Sequence, residues 1–148
     1  MGIFYDYFSA PDDAAALAAF ERGIEESGHP LLPVKGIEPY VQLGQAESGL
    51  TGTPYEDVRS LPRFNRLLSS PEDDSRWLVT LTDELRDALT AARPGGFAAV
   101  AEAWSGIEEF GGDTEPEELA GFLDDLAELA EEARAHPEPH RLYCVMTL

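Results

Sequence analysis

Residues 115–135 read Glu-Pro-Glu-Glu-Leu-Ala-Gly-Phe-Leu-Asp-Asp-Leu-Ala-Glu-Leu-Ala-Glu-Glu-Ala-Arg-Ala. Leu119, Phe122, Leu123, Leu126, Leu129, Ala130 and Ala133 recur at helical spacing, so one stripe of a long helix is apolar and must be covered. Glu117, Glu118, Asp124, Asp125, Glu128, Glu131 and Glu132 fall on the other side, with Arg134 as the one basic residue there. One helix therefore closes a core and presents a wall of negative charge.

Working outward, Thr114 and Glu117 have capping-box spacing before this helix, and Pro137 and Pro139 stop it. Leu142-Tyr143-Cys144-Val145-Met146-Thr147-Leu148 then reads as a hydrophobic strand. At the other end, Ile3 to Phe8 is apolar and aromatic on both alternating faces, broken by Asp6, which is the pattern of a strand inside a sheet. An acid there is expected at an edge or a strand end, facing water.

Between these ends, Ser9 and Pro11 open a helix with Leu17, Phe20 and Ile24 on its apolar face, ended by Gly28. His29 to Pro39 holds three prolines and Gly36 and reads as a connection. A second helix starts at Pro39 and runs to Leu50, weakened by Gly44 and Gly49. A polar stretch to Ser75 is the expected excursion from the core. Trp77 to Leu81 reads as a strand, Thr82 caps a helix from Asp83 to Ala92, Pro94-Gly95-Gly96 breaks it, and another helix follows from Phe97. The expected fold is α+β: a small, mainly antiparallel sheet that includes the first and last strands, packed with four to five helices in a single domain over residues 1–148.

With 29 acids against 10 bases the formal charge is −19 at pH 7. Such a surface repels phosphate, which argues against direct nucleic-acid binding and anionic membranes and favours a basic protein partner. Six of the ten basic residues lie between Arg59 and Arg93, so salt bridges from this middle region to the acidic carboxyl-terminal part are expected. No segment has the ~20 consecutive apolar residues that span a bilayer, and Met1-Gly2-Ile3-Phe4-Tyr5-Asp6 lacks the pattern of an export signal. The lone Cys144 has no internal disulfide partner. A cytoplasmic protein is the expectation.

Four features resemble the YfbM-like family of small bacterial proteins of unknown function: the opening Met1-Gly2-Ile3 strand; a helix ending in Leu50-Thr51-Gly52; the strand-to-helix passage Leu78-Val79-Thr80-Leu81-Thr82-Asp83-Glu84-Leu85; and the long helix leading to a terminal hydrophobic strand. The resemblance implies an α+β architecture rather than an activity. Residues 43–49 lack the Trp and His that the family tends to carry there.

No catalytic, cofactor-binding or metal-ligating set emerges. His136 and His140 have a zinc-like spacing, but Pro137 and Pro139 oppose the helix that would align them. His140 and Cys144 would lie ~13 Å apart on an extended strand, too far for a dyad. Two readings of function remain. One is an interaction protein whose acidic face, Glu117, Glu118, Asp124, Asp125, Glu128, Glu131 and Glu132, engages a basic partner. The other is a small-ligand domain or enzyme with a cleft near Trp104, in which Asp6, Glu108 or Glu109 carries a perturbed carboxyl group beside aromatic rings.

Overall fold

The first and last strands, β1 (Phe4–Ala10) and β4 (Arg141–Thr147), are paired antiparallel in the middle of a four-stranded sheet of order β2-β1-β4-β3. The computed structural model describes residues 2–92 and 96–148; Met1, Arg93 and the helix break expected at Pro94-Gly95 lie outside them. β2 is Leu31–Lys35 and β3 is Arg76–Thr80. The helices are α1 (Asp13–Arg22), α2 (Gln42–Thr51), α3 (Tyr55–Val58), α4 (Asp83–Ala91), α5 (Ala98–Ser105) and α6 (Pro116–Arg134), with a 3₁₀ turn at Glu108–Phe110.

Both faces of the sheet are covered, which is why β1 and β4 are apolar on both alternations. Tyr7, Leu142 and Cys144 point into the larger core with Val79, Leu85, Trp104 and the stripe of α6. Phe8, Tyr143, Val145 and Leu78 point the other way, onto Ala16, Ala19 and Phe20 of α1. The apolar positions expected on α6 are all buried, joined by Ala127. Asp13 ties α1 to the sheet and to the middle of the chain: it accepts from the Tyr143 hydroxyl at 2.7 Å and from both terminal nitrogens of Arg63 at 3.0 and 3.1 Å.

Several local expectations are corrected. α1 is capped by Asp12, whose carboxylate accepts from the Ala15 amide, while Ser9 is buried within β1; the helix stops at Gly23, which has φ 108°, not at Gly28. α2 begins at Gln42, three residues past Pro39, because Glu38 and Gln42 bond each other's amide nitrogens at its start. The cap of α6 is Glu115, without a side-chain bond, in place of a Thr114 capping box. β2 forms where a connection is expected, and its position explains its proline. The Ser9 amide donates to the Pro30 carbonyl, which in this register makes Tyr7–Leu32 and Tyr5–Val34 the hydrogen-bonded pairs. Pro33 therefore sits at an outward position, where its missing N–H costs the sheet nothing.

The two outer edges of the sheet differ. Beyond β3, residues 65–69 seal the edge: Leu68 donates to Leu78, Thr80 to Arg66, and the Leu78 amide to Ser69 Oγ. This is what the polar middle of the chain does. Beyond β2 no described segment pairs.

Two glycines test the packing in opposite directions. A Cβ on Gly44 would lie 2.7 Å from a Tyr55 ring carbon and 3.0 Å from Phe64, whereas one on Gly121 in α6 would meet nothing within 4 Å. Gly44→Ala should destabilise by about 1–3 kcal/mol through overpacking. Gly121→Ala should stabilise by about 0.5–1 kcal/mol through helix propensity. Denaturant unfolding reads both, and equal shifts would contradict this packing. A chain ending at Arg141 loses the strand that links β1 to β3, so it should show no cooperative unfolding transition by circular dichroism.

Candidate functional site

The acids of α6 are placed by its periodicity. At 100° per residue the seven carboxylates occupy an arc of roughly 140° opposite the buried stripe, and all seven are exposed. Four of the described cations are engaged with acids outside that arc. Arg63 pairs with Asp13, Arg86 with Asp83 and Asp87, Arg141 with Asp83, and Arg134 with Asp87. Arg63 and Arg86 thus pair with acids of α1 and α4. The middle region meets the carboxyl-terminal part through Asp87 and Asp83, which hold Arg134 and Arg141, and through Arg86 on the His140 carbonyl; Arg93 lies outside the described residues. Among the described residues, Glu117, Glu118, Asp124, Asp125, Glu128 and Glu132 have no cation within salt-bridge distance.

The two flanks of this surface meet different neighbours. Glu117 borders a shallow depression with Glu102 and Ala98 of α5. Glu118 and Asp125 border a groove of about 530 Å³ that runs between α6 and β2. Its floor is Leu32, Val34, Phe110, Leu119 and Phe122, and Gly121 keeps its α6 wall low. Lys35 lies at the groove, but its ammonium sits 4.9 Å over the Phe4 ring. The charge on the α6 wall is therefore negative.

The residues expected around Trp104 are not brought together. Trp104 is buried; its indole N–H donates to the Gln42 carbonyl at 2.7 Å, and its ring meets Phe110 edge-on at 5.3 Å. Glu108 and Glu109 are exposed on the 3₁₀ turn. A depression of about 400 Å³ beside Trp104 is lined by residues such as Ser48, Val100 and Ile107, with no carboxylate. Asp6 has the parity of Phe8 and so faces the α1 side, away from Trp104. It is on an interior strand, contrary to the edge position expected, and borders a groove with Glu25, Glu26 and Arg76. Partial burial, and then the charge of Glu25, push its carboxyl pKa up.

The most perturbed carboxyl group is one the sequence reading missed. Glu47 of α2 is 2% exposed and accepts from the Thr82 hydroxyl at 2.7 Å, while that hydroxyl caps α4 through the Leu85 amide. Burial raises its pKa to about 7, reinforced by Glu84 and opposed by the Thr82 bond. It lines neither the α6–β2 groove nor the Trp104 depression. Glu47 lies four residues after Leu43 and three before Leu50, so helical spacing places it on the apolar face of α2, and that spacing is the signal by which the sequence could have flagged it.

His136 and His140 do meet, their rings stacked 3.5 Å apart across the turn after α6, because the prolines fold the chain back on itself. Among the described residues no group of three or more His, Cys, Asp or Glu is arranged to hold a metal ion. Cys144 is fully buried, and desolvation pushes its thiol well above the ordinary range, the opposite of an activated nucleophile. No protein-family model, curated protein or solved structure matches this chain.

The Glu47 geometry sets a pH dependence. A carboxyl group whose pKa is raised from 4.5 to about 7 on folding holds its proton in the native state only below about pH 7. Its contribution is full below the unfolded value and is lost as pH rises through about 7. Glu47→Gln keeps an acceptor for Thr82 and removes the charge. At pH 8 the variant should be more stable than the parent by on the order of 3 kcal/mol, with the two converging near pH 4. Urea unfolding at both values checks this, and a constant difference across pH would contradict it.

Proposed function

We propose that this chain is a cytoplasmic interaction protein that engages a basic protein partner through the acidic surface of α6. The observation that carries the reading is the arc of exposed carboxylates, of which Glu117, Glu118, Asp124, Asp125, Glu128 and Glu132 have no described cation within salt-bridge distance, in a protein whose Arg63, Arg86, Arg134 and Arg141 pair with acids outside that arc. The fold does not call for this charge, since the stripe that packs α6 lies on the opposite arc. Opposing potentials of this kind steer encounter and select partners by sign. No described helix is long and apolar enough to cross a membrane. The YfbM-like resemblance belongs to the same proposal as a likeness of architecture, supported by the paired terminal strands and by Thr82 capping α4 where β3 passes into it.

A pull-down from lysate of the source organism tests the reading. It compares the native chain with a variant carrying Glu117→Gln, Asp124→Asn, Asp125→Asn and Glu131→Gln. A basic protein should be captured at low salt, released as the Debye length shortens to ~8 Å at physiological ionic strength and below, and lost from the variant. Capture that ignores both salt and substitution would count against the acidic surface.

A further inference from the structure

We infer that the partner is captured as an added strand: an extended basic segment pairs with the open edge of β2 and lays its side chains into the groove beside α6. This rests on the acidic-surface reading and gives it a geometry. The first observation is the asymmetry of the sheet. Its β3 edge is sealed by residues 65–69, whereas β2 is terminal with no described segment against it. Given the β1 register, the outward backbone groups of β2 are the carbonyls of Leu31, Pro33 and Lys35 and the N–H groups of Leu31 and Lys35. None of these five groups has a described hydrogen-bond partner. An incoming strand completes them, and chiefly as a donor, since Pro33 has no N–H.

The second observation is what flanks that edge. On the α6 side are Glu118 and Asp125 above the apolar floor of Leu32, Val34 and Phe122. On the α1 side, Glu25, Glu26 and Asp6 line the groove that Leu31 and Pro33 also border. Side chains of an added strand alternate between these two sides. Carboxylates stand on both, so lysines or arginines at successive positions find opposite charge on either face, and an apolar residue on the α6 side reaches the floor. Glu118 and Asp125 are seven residues apart, roughly 10.5 Å along the helix. Cations two positions apart on a strand start ~6.6 Å apart, within the reach of long side chains.

The charge also decides against a second copy of this chain. Pairing two β2 edges would set the carboxylates of both flanks, Glu25 and Glu26 on one and Glu118 and Asp125 on the other, beside their like, in a protein of net charge −19. A basic extended segment meets attraction where a second copy meets repulsion.

The test uses short synthetic peptides of equal length: one with lysine on both alternations and valine interspersed, the same peptide N-methylated at alternate residues, and an acidic counterpart. Binding is followed by fluorescence anisotropy, and amide hydrogen exchange by NMR. The lysine peptide should bind, and weaken with salt. N-methylation, which removes strand donors, should cost on the order of tenfold, and the acidic peptide should not bind. On binding, the Leu31 and Lys35 amides should gain protection, while Leu32 and Val34, already bonded to β1, change little.

Gly121→Leu places a side chain in the groove from a site with open space, so the variant should stay folded and lose about tenfold in affinity. Glu118→Gln with Asp125→Asn should weaken binding more than Glu117→Gln with Asp124→Asn. Binding indifferent to N-methylation and to Gly121→Leu, with the Leu31 and Lys35 amides unprotected, overturns strand addition and leaves the acidic-surface reading standing. Failure of every cationic peptide to bind the native chain overturns both. Protected Leu31 and Lys35 amides in the free protein, with a dimer by light scattering, assign the edge to a second copy and overturn the proposal.

Discussion

The pairing of β1 with β4 is the constraint on which the rest of the molecule depends. These two strands lie inside the sheet, so their register, from Phe4–Thr147 to Ala10–Arg141, fixes which side chains enter each core. Tyr7 and Cys144 must face α6 while Phe8 and Tyr143 face α1, because side chains alternate with period two. A slip by one residue would exchange the two cores wholesale. The two terminal strands thus meet in the middle of the sheet, and both cores are built against that central pair.

From that pair outward the edges take different fates. β3 acquires a cover because the chain returns to it through Thr80, whose hydroxyl donates to the Arg63 carbonyl and whose amide donates to Arg66. β2 leaves the sheet through Gly36, at φ 79°, and moves directly to α2. Among the described residues no segment folds back to pair with it, so its outer side stays bare. Pro33 and Lys35 on that side are the residue types that discourage indiscriminate strand pairing, one by lacking a donor and the other by its charge. An edge blunted in this way admits a selected strand more readily than an arbitrary one. The carboxylates on both sides supply the selection.

What could be read from the sequence follows the range of the forces involved. α6 was legible because its pattern is local: apolar and acidic positions separate at helical period, and every residue assigned to its buried stripe is buried. The Thr82 cap of α4 was legible for the same reason. β2 was not, since three prolines between His29 and Pro39 describe a connection unless one knows that Pro33 faces outward on an edge. The groove was not legible either, because its walls are β2 and α6, about eighty residues apart in the chain. Asp6 and Trp104 were separated by strand parity, which depends on what covers each face. Glu47 was legible in principle, since it shares the face of Leu43 and Leu50; what the spacing could not supply is Thr82, the partner that α4 brings to it.

The charge on α6 is separable from the stability of the fold, and this bears on how its role is read. Asp124–Glu128 and Glu128–Glu132 are like-charged neighbours at i,i+4, each unfavourable by a few tenths of a kcal/mol. Burial of the opposite arc, with Phe122, Leu123, Leu126 and Leu129 in the larger core, outweighs that cost several-fold, at roughly 1.5–3 kcal/mol for each large side chain. The helix is held by one arc and charged on the other. Where carboxylates serve the fold in this molecule they are engaged: Asp13 holds Arg63 and Tyr143, Asp12 caps α1, and Glu47 accepts from Thr82. Those on the β2 flank of α6 have no such task. Their neutralisation leaves packing untouched, so a loss of binding in those variants would report on recognition rather than on folding.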